Sequence, residues 1–245
     1  MDKLIYTAMT GAKYLLARQD TAAQNLAHVS TTGYRAQVDA LRSQAVGGSD
    51  TRVFATDATV GSDFTPGPVQ ETGRDLDVAL VGKGWIAVQA LDGNEAYTRF
   101  GSLEVSAEGM LQTRTGLPVL DGGGGPIVVP PDVNLTIASD GTVSAIPVSG
   151  AKVATPLGKI KLASAPDGEM ARGGDGLFRR SNGDTADADP NLRVQPQALE
   201  GSNVNPVEAM VTMIAVARQF EMQMKMMSSA DENARQADKL LGSGT

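Results

Sequence analysis

The feature that most limits what this chain can become is its last long stretch. After Pro206 no further Pro and no Gly interrupts the sequence until Gly242. Asn205 can accept an orphan amide, Pro206 suits a first helical turn, and Glu208, three residues past the cap, can reach back, so a helix starts here. At a rise of roughly 1.5 Å per residue it is a rod of about 50 Å. Val207, Met210, Ile214, Ala217 and Met224 recur at steps of three and four, with Glu221 in the one polar register, the spacing of a coiled-coil seam. A second stripe, Met213, Val216, Phe220 and Met227, lies beside it. Projected at about 100° per residue, the two stripes cover over half the circumference, more than one partner helix can bury. This helix expects several neighbours.

Residues 3–30 repeat the pattern near the other end. Ala8, Ala12, Leu15, Gln19, Ala22, Leu26 and Val29 follow the same spacing, and the small alanines suit close helix approach. Ser30-Thr31-Thr32-Gly33 is expected to end this helix, with Gly33 as a left-handed cap. Tyr34, Arg35, Val38 and Leu41 read as a short amphipathic continuation. Residues 46–70 hold Gly47-Gly48-Ser49, Gly61-Ser62 and Pro66-Gly67-Pro68 with few apolar positions between them, which reads as linker or edge strand.

From about residue 72 the period changes to two. Leu76, Val78 and Leu80 alternate, as do Trp85, Ala87, Gln89 and Leu91, and Asp92-Gly93 marks a hairpin to Ala96–Phe100. Glu108-Gly109 marks a second hairpin, between Leu103, Val105 and Met110, Leu111. Runs at 127–129, 135–137 and 159–162 continue the series, so the middle is mainly antiparallel β. The expected fold is α+β: long N- and C-terminal helices pairing as a coiled coil, with a central, mainly antiparallel β domain. The divisions are an N-terminal helical segment at 1–45, an extended linker at 46–71, the β domain at 72–200 and the C-terminal helix at 201–245.

Composition removes several functions. The net charge is −7, distributed as +2 over residues 1–45, −1 over 203–241 and −8 over the rest, so no segment forms a basic nucleic-acid surface. There is no cysteine, hence no disulfide, thiolate chemistry or Cys-ligated zinc. The opening MDKLIYTAMTGAKYLL is a poor secretory signal because Thr7, Thr10 and Gly11 break its apolar run. No window approaches 18 apolar residues, so no bilayer-spanning helix is expected.

Gly82-Lys83-Gly84-Trp85-Ile86-Ala87 fits a dinucleotide fingerprint, but the residues after it read as a strand, leaving no helix N-terminus to face a pyrophosphate. Gly122-Gly123-Gly124-Gly125 lacks the Lys-Ser/Thr of a phosphate loop. Asp184, Asp187 and Asp189 depart from a calcium loop, which needs Gly where Leu192 stands. His28, the single histidine, has no cysteine partner for a nucleophilic pair. Asp75 and Asp77 are carboxylates without a recognisable pocket. No catalytic, cofactor or metal site is expected, and the methionines of the closing helix read as adaptable packing.

Three stretches carry a resemblance. Asn25-Leu26-Ala27-His28-Val29-Ser30-Thr31-Thr32-Gly33-Tyr34-Arg35 resembles the N-terminal signature of the bacterial flagellar rod and hook axial proteins. Leu199-Glu200-Gly201-Ser202-Asn203-Val204-Asn205, with Val207–Ile214, resembles their C-terminal signature. Thr72–Leu80, Gly82–Trp85 and Ala96–Arg99 look like their shared β domain. His28 stands where the family more often has Asn. The opening MDKLIYTAMTGA, Asn205-Pro206 and Ser229–Asn233 look most like a proximal rod protein, with the distal rod protein next.

The resemblance implies a structural subunit of the proximal rod in the flagellar basal body, spanning the periplasm, exported through the flagellar type III apparatus without a cleaved signal. Its terminal helices would pack into an inner tube around the export channel as part of the drive shaft. Its neighbours would be copies of itself, other proximal rod proteins and the distal rod protein. The expected assembly interface is Ala8, Ala12, Leu15, Ala22, Leu26, Val29, Val207, Met210, Met213, Ile214, Val216, Ala217, Phe220, Met224 and Met227. The signature residues are Asn25, Leu26, Ala27, Thr32, Gly33, Tyr34, Ser202, Asn203, Val204 and Asn205. Rival readings are a periplasmic binding or cell-wall module and a self-contained coiled-coil scaffold.

Overall fold

The computed structural model describes residues 2–45, 53–149 and 152–242. The chain divides into two compact units. The first comprises Met1–Val29, Gln37–Gly61 and Val204–Thr245, and the second Ser30–Ala36 and Ser62–Asn203.

In the first unit, helix α1 (Asp2–Ala27) packs against helix α2 (Pro206–Gly242). The Asn205 carboxamide oxygen accepts the amides of Val207 at 3.0 Å and Glu208 at 3.3 Å. With Pro206 in the first position, this is an N-cap that satisfies donors the helix cannot. Glu208 lies in the first turn, where the helix dipole favours a negative charge.

The coiled-coil expectation is corrected here: the fold is α+β with two paired helices, and no coiled coil is shown. On α2 the seam positions Val207, Met210, Ile214 and Met224 are 45–68% exposed, whereas Val216 is 1% exposed. Met213, Phe220, Gln223 and Met227 are half-buried on the same face as Val216. On α1, Ala8, Ala12 and Ala22 are buried, with Leu15 and Leu26 half-buried. Gln223 Nε2 donates to the Ala8 carbonyl at 3.1 Å, and a Cβ on Gly11 would stand 3.1 Å from the same nitrogen. Alanine and glycine let backbones approach closely but are too short to act as knobs in holes. Heptad spacing in each helix therefore did not determine which faces meet.

Helix α1 ends at Ala27, earlier than the expected Ser30–Gly33 cap. The expected amphipathic continuation is instead a strand, Gln37–Ala45, paired with Val53–Ser62 in a two-stranded sheet. Gly47-Gly48-Ser49 lies outside the described residues.

The second unit is built from antiparallel pairs. Its largest sheet is five-stranded, in the order Leu162–Ala163, Trp85–Gln89, Glu95–Thr98, Phe178–Arg180, Met170–Arg172. The hairpins at Gly93 and Gly109 join Trp85–Gln89 to Glu95–Thr98 and Leu103–Val105 to Leu111–Thr113. The strand Trp85–Gln89 is buried on both faces, and its alternation sends side chains to two cores. Ile86 and Val88 join Val78, Leu103, Leu111, Val143 and Ile160, while Trp85 and Ala87 join Tyr97, Leu120 and Phe178. The Trp85 and Phe178 rings lie 4.5 Å apart with Phe64 5.9 Å from each. The expected strand at 127–129 contributes a single bridge, Met110 to Val128.

Candidate functional site

Two features stand out: an apolar helix face in the first unit and a buried polar junction in the second. On α2, Val207, Met210, Val211, Ile214, Met222, Met224 and Met226 are each 45–68% exposed. Ala217 is half-buried. The first sequence stripe is thus the open one, and the second, Met213, Val216, Phe220 and Met227, is the covered one. Large apolar surface of this kind marks interaction sites, because isolated exposed residues are common but a continuous row is not.

The junction of the second unit centres on Glu200, 1% exposed at the end of Ala198–Glu200, a strand paired with Val69–Glu71. Arg35 Nη2 donates to Glu200 Oε1 at 2.7 Å, and the Gly67 amide donates to the same oxygen at 2.9 Å. Arg99 Nη1 donates to Glu200 Oε2 at 3.0 Å. The Gly33 amide donates to the Glu200 carbonyl at 2.7 Å. Two guanidiniums on one carboxylate leave an excess positive charge, which is costly in a buried setting unless dispersed. Arg99 disperses it onto the Gly82 carbonyl at 2.6 Å and lies 5.7 Å from the Trp85 ring centroid, where the π face is attractive. Arg35 Nη1 is buried with no hydrogen-bond partner among the described residues, so that guanidinium leans more heavily on Glu200.

Gly33 has φ +67°, a conformation open to glycine and strained for other residues. A Cβ there would also collide with the Arg99 carbonyl group. Tyr34 is buried, with the Arg172 guanidinium 4.4 Å over its ring and Arg172 Nη1 donating to the Arg35 carbonyl at 3.2 Å.

Asn203 completes the junction. Its Oδ1 accepts the Ala36 amide at 2.7 Å, and its Nδ2 donates to the carbonyls of Asp63 at 2.9 Å and Thr65 at 3.0 Å. Its own amide donates to the Tyr34 carbonyl at 3.3 Å.

Of the signature residues, Gly33, Tyr34 and Asn203 meet in this junction, and Ser202 is buried beside them in the chain. In the first unit, Asn25 makes a paired contact with the Gln37 backbone, donating at 2.9 Å and accepting at 2.8 Å. Asn205 caps α2. Leu26, Val29, Thr32 and Val204 are half-buried, and Ala27 is exposed. Sequence reasoning missed Glu200, Arg35 and Arg99 as a unit, because Glu200 lies 165 and 101 residues from its two partners. The available signal was that each of the three lies in one of the stretches that carry the family resemblance.

Elsewhere in the second unit, Tyr97 donates to Glu95 Oε1 at 2.7 Å and accepts the Ala186 amide, while Lys161 Nζ lies 2.8 Å from Glu95 Oε1. Burial pushes the Tyr97 phenol well above its ordinary value; the Ala186 amide opposes this, and the Glu95 carboxylate adds to it. Asp175 is held below the usual carboxylate range, first by the Arg179 guanidinium. Among the described residues no group of three or more His, Asp or Glu is placed to hold a metal ion. No helix among them is long and apolar enough to cross a membrane.

Three family matches fall in chain order. Residues 5–35 match the flagella basal body rod protein family. Residues 79–145 match the D1 domain of the flagellar hook protein FlgE/F/G, and residues 195–240 the C-terminal region of the flagellar basal body rod FlgEFG proteins. The chain is 50% identical to the flagellar basal-body rod protein FlgF of Escherichia coli (strain K12), over 98% of this chain and 99% of that one. It is 49% identical to the FlgF of Salmonella typhimurium over the same shares. Its identity to the flagellar basal-body rod protein FlgG of Agrobacterium fabrum is 32%, over 96% of this chain and 97% of that one.

Proposed function

The chain belongs to the flagellar basal-body rod protein FlgF family, and from that premise we propose that it builds the proximal rod by helical assembly through its terminal helices. The family role is that of a structural rod subunit located in the flagellar basal body and assembling with other rod components. The single observation that carries the helical reading is the open face of α2, where Val207, Met210, Ile214 and Met224 stay 45–68% exposed although Gln223, on the opposite face, already bonds α1 at Ala8. A head-to-tail contact that uses such a face and whose rotation does not close generates a helical array. The methionines suit it, since an unbranched thioether can adapt to several slightly different neighbours.

In this proposal the neighbours are copies of the chain, other proximal rod proteins and the distal rod protein. The tube of helices encloses the export channel and serves as part of the drive shaft across the periplasm. The subunit reaches its place through the flagellar type III export apparatus with its N-terminus uncleaved. Its work is mechanical, with no catalysis and no cofactor.

The test is Ile214→Asp or Met210→Asp. Both positions are exposed in the subunit, so the fold is expected to survive, as checked by circular dichroism and Trp85 fluorescence. A buried unpaired carboxylate at a subunit contact costs several kcal/mol, so basal bodies purified from the variant strain should lack the subunit. Normal swimming by both variants would remove the open face of α2 from the assembly interface.

A further inference from the structure

We propose that Asn203 is a mechanical clamp: one side-chain amide that ties together three of the four passages by which the chain enters and leaves the second unit. The chain enters that unit at Ser30, and the three later passages are its exit after Ala36, its return at Ser62 and its exit after Asn203. All three passages are bonded by this residue. Its Oδ1 accepts from Ala36, its two Nδ2 hydrogens go to Asp63 and Thr65, and its backbone amide goes to Tyr34. The Asp63 amide adds a direct bond to the Ala36 carbonyl at 2.8 Å.

The chemistry singles out asparagine. The surrounding backbone presents one N–H and two carbonyls, which only a carboxamide can answer with one acceptor and two donors. Aspartate would set a carboxylate against two carbonyls, and glutamine would carry the amide one methylene too far. This pattern also fixes the amide orientation, since the flipped form would face every partner with the wrong polarity.

Three residues upstream, Glu200 ties the same three passages a second time. Its carbonyl holds Gly33, its Oε1 holds both Arg35 and Gly67, and it sits in the third passage itself. Two successive layers of cross-bonding on the same segments have a mechanical consequence. A load that separates residue 36 from residue 203 must break several bonds at once instead of peeling them singly. The inference rests on the rod reading for its purpose, because a rod subunit is loaded whenever the rod turns; the clamp geometry itself does not depend on it.

The chain has no cysteine, so pulling handles can be placed at will in the purified full-length protein. One pair, Gln37→Cys with Val204→Cys, pulls across the clamp. A second pair, Leu91→Cys with Val148→Cys, uses exposed positions of the same unit and serves as the comparison. In a force ramp, Asn203→Ala should raise the opening rate across the 37–204 pair by about a hundredfold, from the loss of three side-chain bonds at roughly fivefold each. The 91–148 pair should change by less than about threefold. Asn205→Ala, which removes only the α2 cap, should leave the 37–204 rate as it was.

Equal weakening in both pulling directions would make Asn203 an ordinary stabilising residue and overturn the clamp, as would no change in either. In cells, Asn203→Ala rods should be present in basal bodies yet fail first when swimming is slowed by a viscous medium. Swimming undiminished in that medium would also overturn the clamp. By contrast, normal swimming after deletion of the whole chain would sink the rod reading while the pulling result stood.

Discussion

Removing the charge of Glu200 is the sharpest test of what holds the second unit together. In Glu200→Gln the retained oxygen is best placed at Oε1, where Arg35 and the Gly67 amide both donate. The new NH2 group then faces Arg99 Nη1 across a 3.0 Å contact, donor against donor. The substitution therefore loses one charge-assisted bond outright and leaves two guanidiniums in a site where Arg35, Arg99 and Glu200 are at most 4% exposed. Breaking a buried ion pair by removing one partner costs ~3–5 kcal/mol. With a urea slope of about 2 kcal/mol per molar, the unfolding midpoint should fall by about 2 M. Trp85 is the sole tryptophan, 3% exposed and close to Arg99, so its fluorescence reports this unit. A double-mutant cycle with Arg99→Met separates coupling from general disruption, because removing Arg99 relieves the donor clash only in the Gln background. The expected coupling is ~1–3 kcal/mol. A midpoint shift under about 0.5 M, or additive effects in the cycle, would show that the carboxylate is a bystander.

Two further outcomes follow from the same unit. Gly33→Ala combines a left-handed backbone with a collision against the Arg99 carbonyl group and should cost ~2–4 kcal/mol by urea unfolding; a cost under ~1 kcal/mol would mean that the turn relaxes freely. For Tyr97, the folded phenol is raised above its unfolded value of about 10, so its stabilising contribution is fully present below about pH 10 and is lost as pH rises beyond it. Unfolding free energy should therefore fall above that pH, and Tyr97→Phe should make the fall shallower; an unchanged slope would place the titration elsewhere.

Much of the architecture was legible locally. Asn205-Pro206 marked the start of α2 because a cap is decided by two or three adjacent residues. Asp92-Gly93 and Glu108-Gly109 marked hairpins because a left-handed turn position favours glycine. What was not legible depended on distance along the chain. Pro66-Gly67-Pro68 read as linker or edge strand, and neither reading announces that Gly67 sits against the backbone of Gly201 and donates to Glu200. Nothing near Gly67 announces a carboxylate 133 residues away. The α2 stripes failed for a related reason. Both stripes had suitable spacing, and the choice between them rested with α1, whose alanines favour close approach over interlocking.

The junction and the helix face use sequence in opposite ways. Among the signature residues, Asn25 and Asn205 in the first unit and Gly33 and Asn203 in the second all act on backbone groups: a paired contact with Gln37, a helix cap, a left-handed turn, and three passages tied together. Each task depends on one particular side chain, or on the lack of one, so these positions tolerate little change in chemistry. The open face of α2 needs only apolar surface, which methionine, valine and isoleucine supply interchangeably at similar volume. The residues that carry the family resemblance at the signatures therefore describe chiefly how one subunit is held together internally. In the assembly we propose, contacts between subunits rest on the plainer apolar rows, where spacing matters more than identity, so changes of partner would be accommodated on α2 before they were accommodated at Asn203 or Glu200.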